Sequence, residues 1–213
     1  VKMNKIPGLQ EVLKIYEGLW KKNFDEKNIF FVNDFTNEDF FELGKKFLVD
    51  YYKKYHPFKE NTIATEKRIL INLDKEGKYK LQGYIDRLVY NKKEGAYEIH
   101  DYKTSKHLKT IKDLEMDKQL ALYSLGIKEM YPDADRVCLI WHFLAFDKEF
   151  CSERTEEQLE TLKEQTIQLI KKIESTEEFS PKTSKLCDWC EFKTICPKWK
   201  HFEDIKNKPL NEY

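Results

Sequence analysis

The sequence lacks a long apolar run, an excess of charge of either sign, and a recognisable secretion signal. Without a long apolar run the chain has no membrane-spanning helix, and we expect no membrane partner. No positively charged start leads into an apolar segment, so the expected location is the cytoplasm. Lysine and arginine together number 38, as do aspartate and glutamate, which gives a net charge of zero. The field of the whole molecule therefore does not draw it to a polyanion, and any nucleic-acid surface must be a local patch.

The cysteines do not form the pattern of a disulfide framework. They number five, which is odd, and three of them lie in one short segment as Cys187, Cys190 and Cys196. This crowding suits a metal site better than disulfide bonds. Cys138 lies in an apolar run and is expected to be a buried, inert thiol.

The apolar residues that are present predict a folded α/β protein. Hydrophobic residues make up 40% of the 213 positions and aromatic residues 14%, which excludes a disordered chain. Helical spacing of apolar residues alternates with short runs of strand periodicity. We predict helices at 9–20, 40–55, 112–131 and 155–175, with Asn37-Glu38-Asp39 as the cap of the second helix. Strands are predicted at 63–73, 79–90, 96–102 and 136–146. This order indicates a mixed central β-sheet flanked by helices.

The same pattern divides the chain into three parts. Residues 1–60 are predicted to be an N-terminal helical segment, and residues 61–180 to be the core. Residues 181–213 contain the cysteine loop and a charged tail.

One acidic residue stands out in the second predicted strand. The segment Gly83-Tyr84-Ile85-Asp86-Arg87 places a carboxylate within an otherwise apolar strand. Burying a lone carboxylate is costly, so Asp86 is expected to have a partner or a chemical role.

The next strand supplies that partner. Its segment Glu98-Ile99-His100-Asp101-Tyr102-Lys103 puts Asp101 and Lys103 two residues apart, on the same face of the sheet. A neighbouring strand would bring Asp86 beside them. Two converging carboxylates repel each other unless a cation lies between them, and oxygen ligands suit Mg²⁺ or Mn²⁺. A lysine nearby can stabilise the charge that develops during phosphodiester hydrolysis. An ordinary solvated ion pair is the alternative for Asp101 and Lys103 taken alone.

A series of motifs in fixed order connects these residues to a known family. The series is Gly-x-Ile-Asp-Arg, Asp-Tyr-Lys-Thr, Gln-x-x-x-Tyr and Cys-x-x-Cys-x5-Cys-Pro. It resembles the RecB-type branch of the PD-(D/E)XK nucleases, including AddB and CRISPR-associated iron–sulfur nucleases. The likeness spans Glu66 to Pro197 and implies a restriction-endonuclease-like core in residues 61–180. The joint order is more specific than any single motif.

The resemblance implies a role for each matched residue. Asp86 and Asp101 would be metal ligands, and Lys103 the catalytic lysine. Gln119 and Tyr123 would line the site and contact the DNA strand. Their spacing of four places both on one face of a helix, although Tyr123 is equally consistent with a core aromatic. Glu66 matches an acidic position of the family, with a solvated edge as the alternative.

The resemblance also implies a cofactor for the cysteine loop. In the similar families, three cysteines corresponding to Cys187, Cys190 and Cys196 join one near the N-terminus to hold a [4Fe–4S] cluster. Here no cysteine precedes Cys138, and the Gly-x-x-x-His helix of those families is also missing. We expect either a fragment, which the abrupt start favours, or a divergent member. In a fragment, the cluster would be absent or a partner chain would supply its fourth ligand; in a divergent member, the loop would bind something else. Zinc held by the three cysteines and His201 ranks second.

Three functions are compatible with these features. The first is a metal-dependent DNA nuclease, by resemblance an exonuclease, that acts on single-stranded DNA or a free end. It would serve repair, recombination or foreign-DNA processing, with a helicase or another repair or CRISPR protein as partner. The second is a non-catalytic DNA-binding or structural nuclease-like domain of a larger helicase–nuclease assembly. The third is a zinc-loop interaction protein.

Overall fold

The computed structural model describes residues 6–25, 35–184, 186–187 and 190–199. The main elements along these residues are five α-helices and five strands, with a short 3-10 helix at Leu144–Phe146. The helices are α1 (Leu9–Asn23), α2 (Asn37–Tyr55), α3 (Ile111–Glu115), α4 (Lys118–Met130) and α5 (Glu156–Glu174). The strands are β1 (Thr62–Asn72), β2 (Lys80–Asn91), β3 (Ala96–Lys103), β4 (Val137–Phe143) and β5 (Lys148–Ser152). None of the described helices combines the length and apolar character needed to cross a membrane.

The strands form one mixed sheet in the order β1-β2-β3-β4-β5. The first three are joined by hairpins and pair antiparallel, as the turn residues between them predict. β4 pairs parallel to β3, and the connection through α3 and α4 is the crossover that parallel strands require. β5 returns antiparallel along β4. The predicted mixed α/β sheet is therefore confirmed.

Helices cover both faces of the sheet. α4 lies on one face, where its buried side chains join Ile69, Ile71 and Leu139 in the main core. α5 packs on the outer side of α4 through Leu159 and Leu162. Burial of this apolar surface is the main source of stability.

The opposite face is covered differently. There α2 contacts the sheet through tyrosines: the hydroxyl oxygens of Tyr51 and Tyr102 lie 2.8 Å apart. α1 packs on α2, where the indole N–H of Trp20 donates to Asn37 at 2.9 Å. This face is consequently more polar than the face under α4.

Three details differ from the sequence-based expectation. The helix predicted at 112–131 is two helices, because the Asp117 side chain accepts hydrogen bonds from the backbone of Gln119 and Leu120 and starts a new helix. The strand predicted at 136–146 ends at Phe143 and turns into β5, which was not predicted. Thr36, rather than the residues that follow it, caps α2 through a reciprocal pair of bonds with Asp39.

Candidate active site

The candidate site lies where strands β2 and β3 separate. Their registered pairing runs from Asn91↔Ala96 to Arg87↔His100 and ends there. Beyond that pair, β2 continues along β1 and β3 continues along β4. The sheet thus forks at the two predicted metal ligands, Asp86 and Asp101.

Asp86 is held at this fork by a backbone group of β3. Its Oδ2 accepts a hydrogen bond from the amide of Tyr102 at 3.0 Å. This side-chain bond joins β2 to β3 just beyond the last pair of backbone partners. Oδ1 has no hydrogen-bond partner within the described part of the chain. One carboxylate oxygen is thereby fixed and the other is available to a ligand.

Asp101 is buried, with 6% of its surface exposed. Burial raises the pKa of its carboxyl group, and the negative charges of Asp86 and Asp117 raise it further, while Lys103 acts in the opposite direction. Its Oδ2 lies 2.7 Å from Nζ of Lys103, yet this buried oxygen receives no well-directed hydrogen bond from any described residue. Such an oxygen suits a cation ligand.

Lys103 connects the Asp101 carboxylate to helix α4. Its Nζ donates to Oδ1 of Asp101 at 3.0 Å and to Oε1 of Gln119 at 3.2 Å. Gln119 in turn donates through Nε2 to the hydroxyl of Tyr123 at 3.3 Å. As predicted, Asp101 and Lys103 lie on one face of the sheet, and Gln119 and Tyr123 lie on one face of helix α4.

Tyr123 lies against β2 at a glycine. A Cβ added to Gly83 would be 2.8 Å from Cζ and 3.0 Å from the hydroxyl oxygen of Tyr123, closer than real contacts allow. Tyr123 also packs at the edge of the main core. Its packing as a core aromatic is thus observed, and its hydroxyl still faces Gln119.

Comparison with known proteins identifies the family of this arrangement. Residues 3–197 match the family model of the PD-(D/E)XK nuclease superfamily. The chain belongs to this superfamily. Among solved structures, the crystal structure of SSO0001 is similar, with 18% sequence identity and a TM-score of 0.41, covering 90% of this chain and 97% of that chain. No curated protein is significantly similar in sequence. Membership in the PD-(D/E)XK nuclease superfamily implies phosphodiester hydrolysis with DNA as the substrate.

A third carboxylate next to the candidate site was missed from the sequence. Asp117 caps α4 and pairs with Lys109 at 3.0 Å, and its charge raises the pKa of Asp101. By starting α4, it sets the position of Gln119 two residues later. The signal was present: an aspartate followed after two residues by an apolar helical run is a common helix start.

A buried polar cluster on the opposite face of the sheet from the candidate site was also missed. Three polar side chains, those of Arg87, His100 and His142, are buried on the sheet face that α2 covers. Two of them directly adjoin Asp86 and Asp101 in sequence. Strand alternation sends the sequence neighbours of a site residue to the opposite face, and polar residues in a buried run require hydrogen-bond partners.

The cysteine loop is only partly described. Cys187, Cys190 and Cys196 are free and half-buried, and Sγ of Cys187 accepts a hydrogen bond from the amide of Ser184 at 3.2 Å. Asp188, Trp189 and His201 lie outside the described residues. Within the described ranges, no three histidine, cysteine, aspartate or glutamate side chains are grouped to hold a metal ion.

Glu66 is exposed and lies at an irregular point of β1. Its φ of +48° is in the left-handed region, which non-glycine residues seldom adopt. The registered pairs on either side are Thr65↔Arg87 and Lys67↔Ile85, so Glu66 lies opposite Asp86 along the strands. The backbone thus brings it level with the site, although no hydrogen bond or ion pair joins its side chain to the described site residues.

Proposed function

We propose that the chain is a metal-dependent DNA nuclease in which Asp86 and Asp101 bind Mg²⁺ or Mn²⁺ and Lys103 is the catalytic lysine. The observation that supports this is the meeting of these three residues at the fork between β2 and β3. The superfamily to which the chain belongs makes phosphodiester hydrolysis the expected reaction.

The donor set fits a hard divalent cation. Mg²⁺ keeps several water molecules and is usually bound by only one or two carboxylates together with substrate phosphates. Two carboxylates, each with an oxygen that lacks a directed hydrogen bond from a described residue, therefore provide a sufficient protein contribution. When bound, the cation would neutralise phosphate charge and lower the pKa of a coordinated water.

Lys103 is suited to stabilise negative charge on the scissile phosphate. Its ammonium group has three donors, and its hydrogen bonds to Asp101 and Gln119 use two of them. No hydrogen bond from the third donor to a described residue is present, although Nζ also lies 2.7 Å from Oδ2 of Asp101. This donor would serve a phosphate oxygen or an attacking water. A fixed donor of this kind contributes most where charge develops during the reaction.

Gln119 and Tyr123 are proposed to contact the DNA strand beside the scissile phosphate. Gln119 is exposed and already bonded to Lys103, so it lies at the opening of the fork. Tyr123 is held between Gly83 and Gln119, which leaves its hydroxyl as the group nearest to a bound strand.

The finer assignments rest on the RecB-type resemblance. We propose exonuclease action on single-stranded DNA or a free end, in repair, recombination or foreign-DNA processing, with a helicase or another repair or CRISPR protein as partner. A [4Fe–4S] cluster at Cys187, Cys190 and Cys196, with its fourth ligand from elsewhere, belongs to the same proposal. Zinc is the second choice. Iron, acid-labile sulfide and zinc analysis of the purified chain decides between them.

The activity is tested with labelled single- and double-stranded DNA in the presence of Mg²⁺ or Mn²⁺. The parent should degrade DNA, and Asp101→Ala and Lys103→Ala should each lose at least about 100-fold in rate, as removal of a charge-stabilising group typically does. Asp135→Ala and Lys93→Ala serve as controls, because both residues are exposed and neither side chain contacts the site.

Two results would contradict the proposal. Equal degradation by the parent and the site variants would remove Asp101 and Lys103 from the mechanism. DNA binding without cutting by the parent would favour the alternative function, a non-catalytic DNA-binding or structural domain of a helicase–nuclease assembly.

A further inference from the structure

The two proposed metal ligands each have a sequence neighbour in a buried polar cluster on the far side of the sheet. Arg87 follows Asp86, and His100 precedes Asp101. Both are buried, as is His142 on the adjacent strand. A buried cation and two imidazoles are expensive to desolvate, and a well-packed apolar set would often be at least as stable. The cluster therefore calls for an explanation other than stability.

The contacts of the cluster lie at the point where the strands part. Arg87 and His100 form the last registered pair of β2 and β3, and Nη2 of Arg87 is 2.9 Å from Nδ1 of His100. Nη1 of Arg87 donates to Glu60 at 2.7 Å, which ties β2 to the segment before β1. The rings of His100 and His142 are nearly parallel, with centroids 5.1 Å apart and an angle of 12° between their planes.

The chemistry of the groups determines how the protons are arranged. A guanidinium only donates, so Nδ1 of His100 accepts from Arg87 and the ring proton is on Nε2. That Nε2 then donates to Glu98 at 3.3 Å. Nε2 of His142 lies 2.8 Å from the same Nδ1 of His100 and, as a second donor, shares its single lone pair with Arg87. One tautomer of each imidazole, with the proton on Nε2, is therefore compatible with these contacts.

The cluster also reaches the proposed metal ligands through Tyr102. The Tyr102 ring stacks on His142 with centroids 4.8 Å apart, and its hydroxyl is bonded to Tyr51 on α2. The amide of the same residue holds Oδ2 of Asp86. Contacts of the Tyr102 side chain with His142 and Tyr51 therefore also restrain the backbone amide that holds the Asp86 carboxylate.

We propose that Arg87 and His100 are positioning residues that set the spacing of the Asp86 and Asp101 carboxylates for a divalent cation. Their hydrogen bond fixes the backbones of β2 and β3 immediately before the fork, and the stack of His142 on Tyr102 holds the amide that orients Asp86. This inference rests on the proposed metal-dependent function. It extends that function to residues that touch neither the cation nor DNA.

The test is Mn²⁺ binding to the full chain, measured by isothermal titration calorimetry alongside the thermal unfolding temperature. Arg87→Met and His100→Leu should weaken Mn²⁺ affinity about 10- to 100-fold, the usual effect of losing a group that orients metal ligands. His100→Asn keeps an acceptor near the position of Nδ1 and should recover part of the affinity. Arg68→Met is the matched control: this arginine bonds Gln82 across the neighbouring strand pair, but on an exposed surface.

The outcomes separate this inference from the proposed function. Folded Arg87→Met and His100→Leu proteins with parental Mn²⁺ affinity would overturn the positioning role, even if both are less stable. If Arg87→Met does not fold, Arg87→Lys makes the same test, because it keeps the charge but not the two-armed geometry. Mn²⁺ binding that depends on Asp101 without DNA cleavage would overturn the nuclease proposal alone. Mn²⁺ binding that is absent, or that does not depend on Asp101, would overturn both the nuclease proposal and the positioning role.

Discussion

Replacing His142 with glutamine should remove much of the acid sensitivity of the fold. The His142 side chain is 3% exposed, and its pKa is lowered from 6.5 to about 3, first by burial and then by His100, Arg87 and Lys54. As the pH falls through 6.5, the unfolded chain takes up a proton at this position and the folded chain does not. The stabilisation is therefore fully present above pH 6.5 and is lost progressively between pH 6.5 and 3.

The size of the effect follows from these two pKa values. Proton linkage with 6.5 in the unfolded state and about 3 in the folded state gives a loss of about 2 kcal/mol between pH 7 and pH 5. For a chain of this length, 1 kcal/mol corresponds to about 2–4 °C in the unfolding temperature, so His142 should account for about 4–8 °C.

The assay is thermal unfolding by circular dichroism at pH 7, 6 and 5 at constant ionic strength. His142→Gln should be less stable than the parent at pH 7 because it loses the stack with Tyr102, but it should lose less stability as the pH falls. His107→Gln is the control, because His107 is exposed in the loop after β3. Parallel decreases in the parent and His142→Gln would refute the reasoning.

Two further predictions concern residues of the candidate site and its contact with Tyr123. The fold raises the pKa of Asp101, so the charged carboxylate destabilises the metal-free protein, and Asp101→Asn should unfold at a higher temperature than the parent in chelator at pH 7. Added Mn²⁺ should raise the unfolding temperature of the parent only. An equal rise in both proteins would contradict this prediction. Gly83→Ala should destabilise by about 1–3 kcal/mol in chemical denaturation, because the new methyl group displaces Tyr123. In a Tyr123→Ala background the same change should cost much less, and an unchanged cost would rule out this contact as the cause.

The sequence predicted the parts of the structure that depend on local periodicity. Spacing of two put Asp101 and Lys103 together, and spacing of four put Gln119 and Tyr123 together. The hairpins and the mixed sheet followed from the change between helical and strand periods. These features repeat within a few residues, so the sequence contains the information directly.

Other features depend on contacts between distant segments. β5 is a short edge strand with mostly exposed residues, so it has little hydrophobic signal. The two helices α3 and α4 look like one, because apolar spacing continues past Asp117. The buried cluster joins Arg87 to Glu60 and His100 to His142, and these pairs become neighbours only when the sheet forms.

The fork itself illustrates why alternation alone could not locate the site. Ile85 and Leu88 both lie in the main core although they are three residues apart, whereas strict alternation would send them to opposite faces. The alternation of side chains between the two sheet faces is therefore interrupted between them, at Asp86 and Arg87, where pairing with β3 ends. No glycine or proline marks this change in the sequence. It coincides instead with two long-range bonds, from Arg87 to His100 behind the sheet and from the Tyr102 amide to Asp86 at the fork. Since each proposed ligand is one peptide unit from the buried cluster, a substitution that shifts the cluster should shift the carboxylates as well.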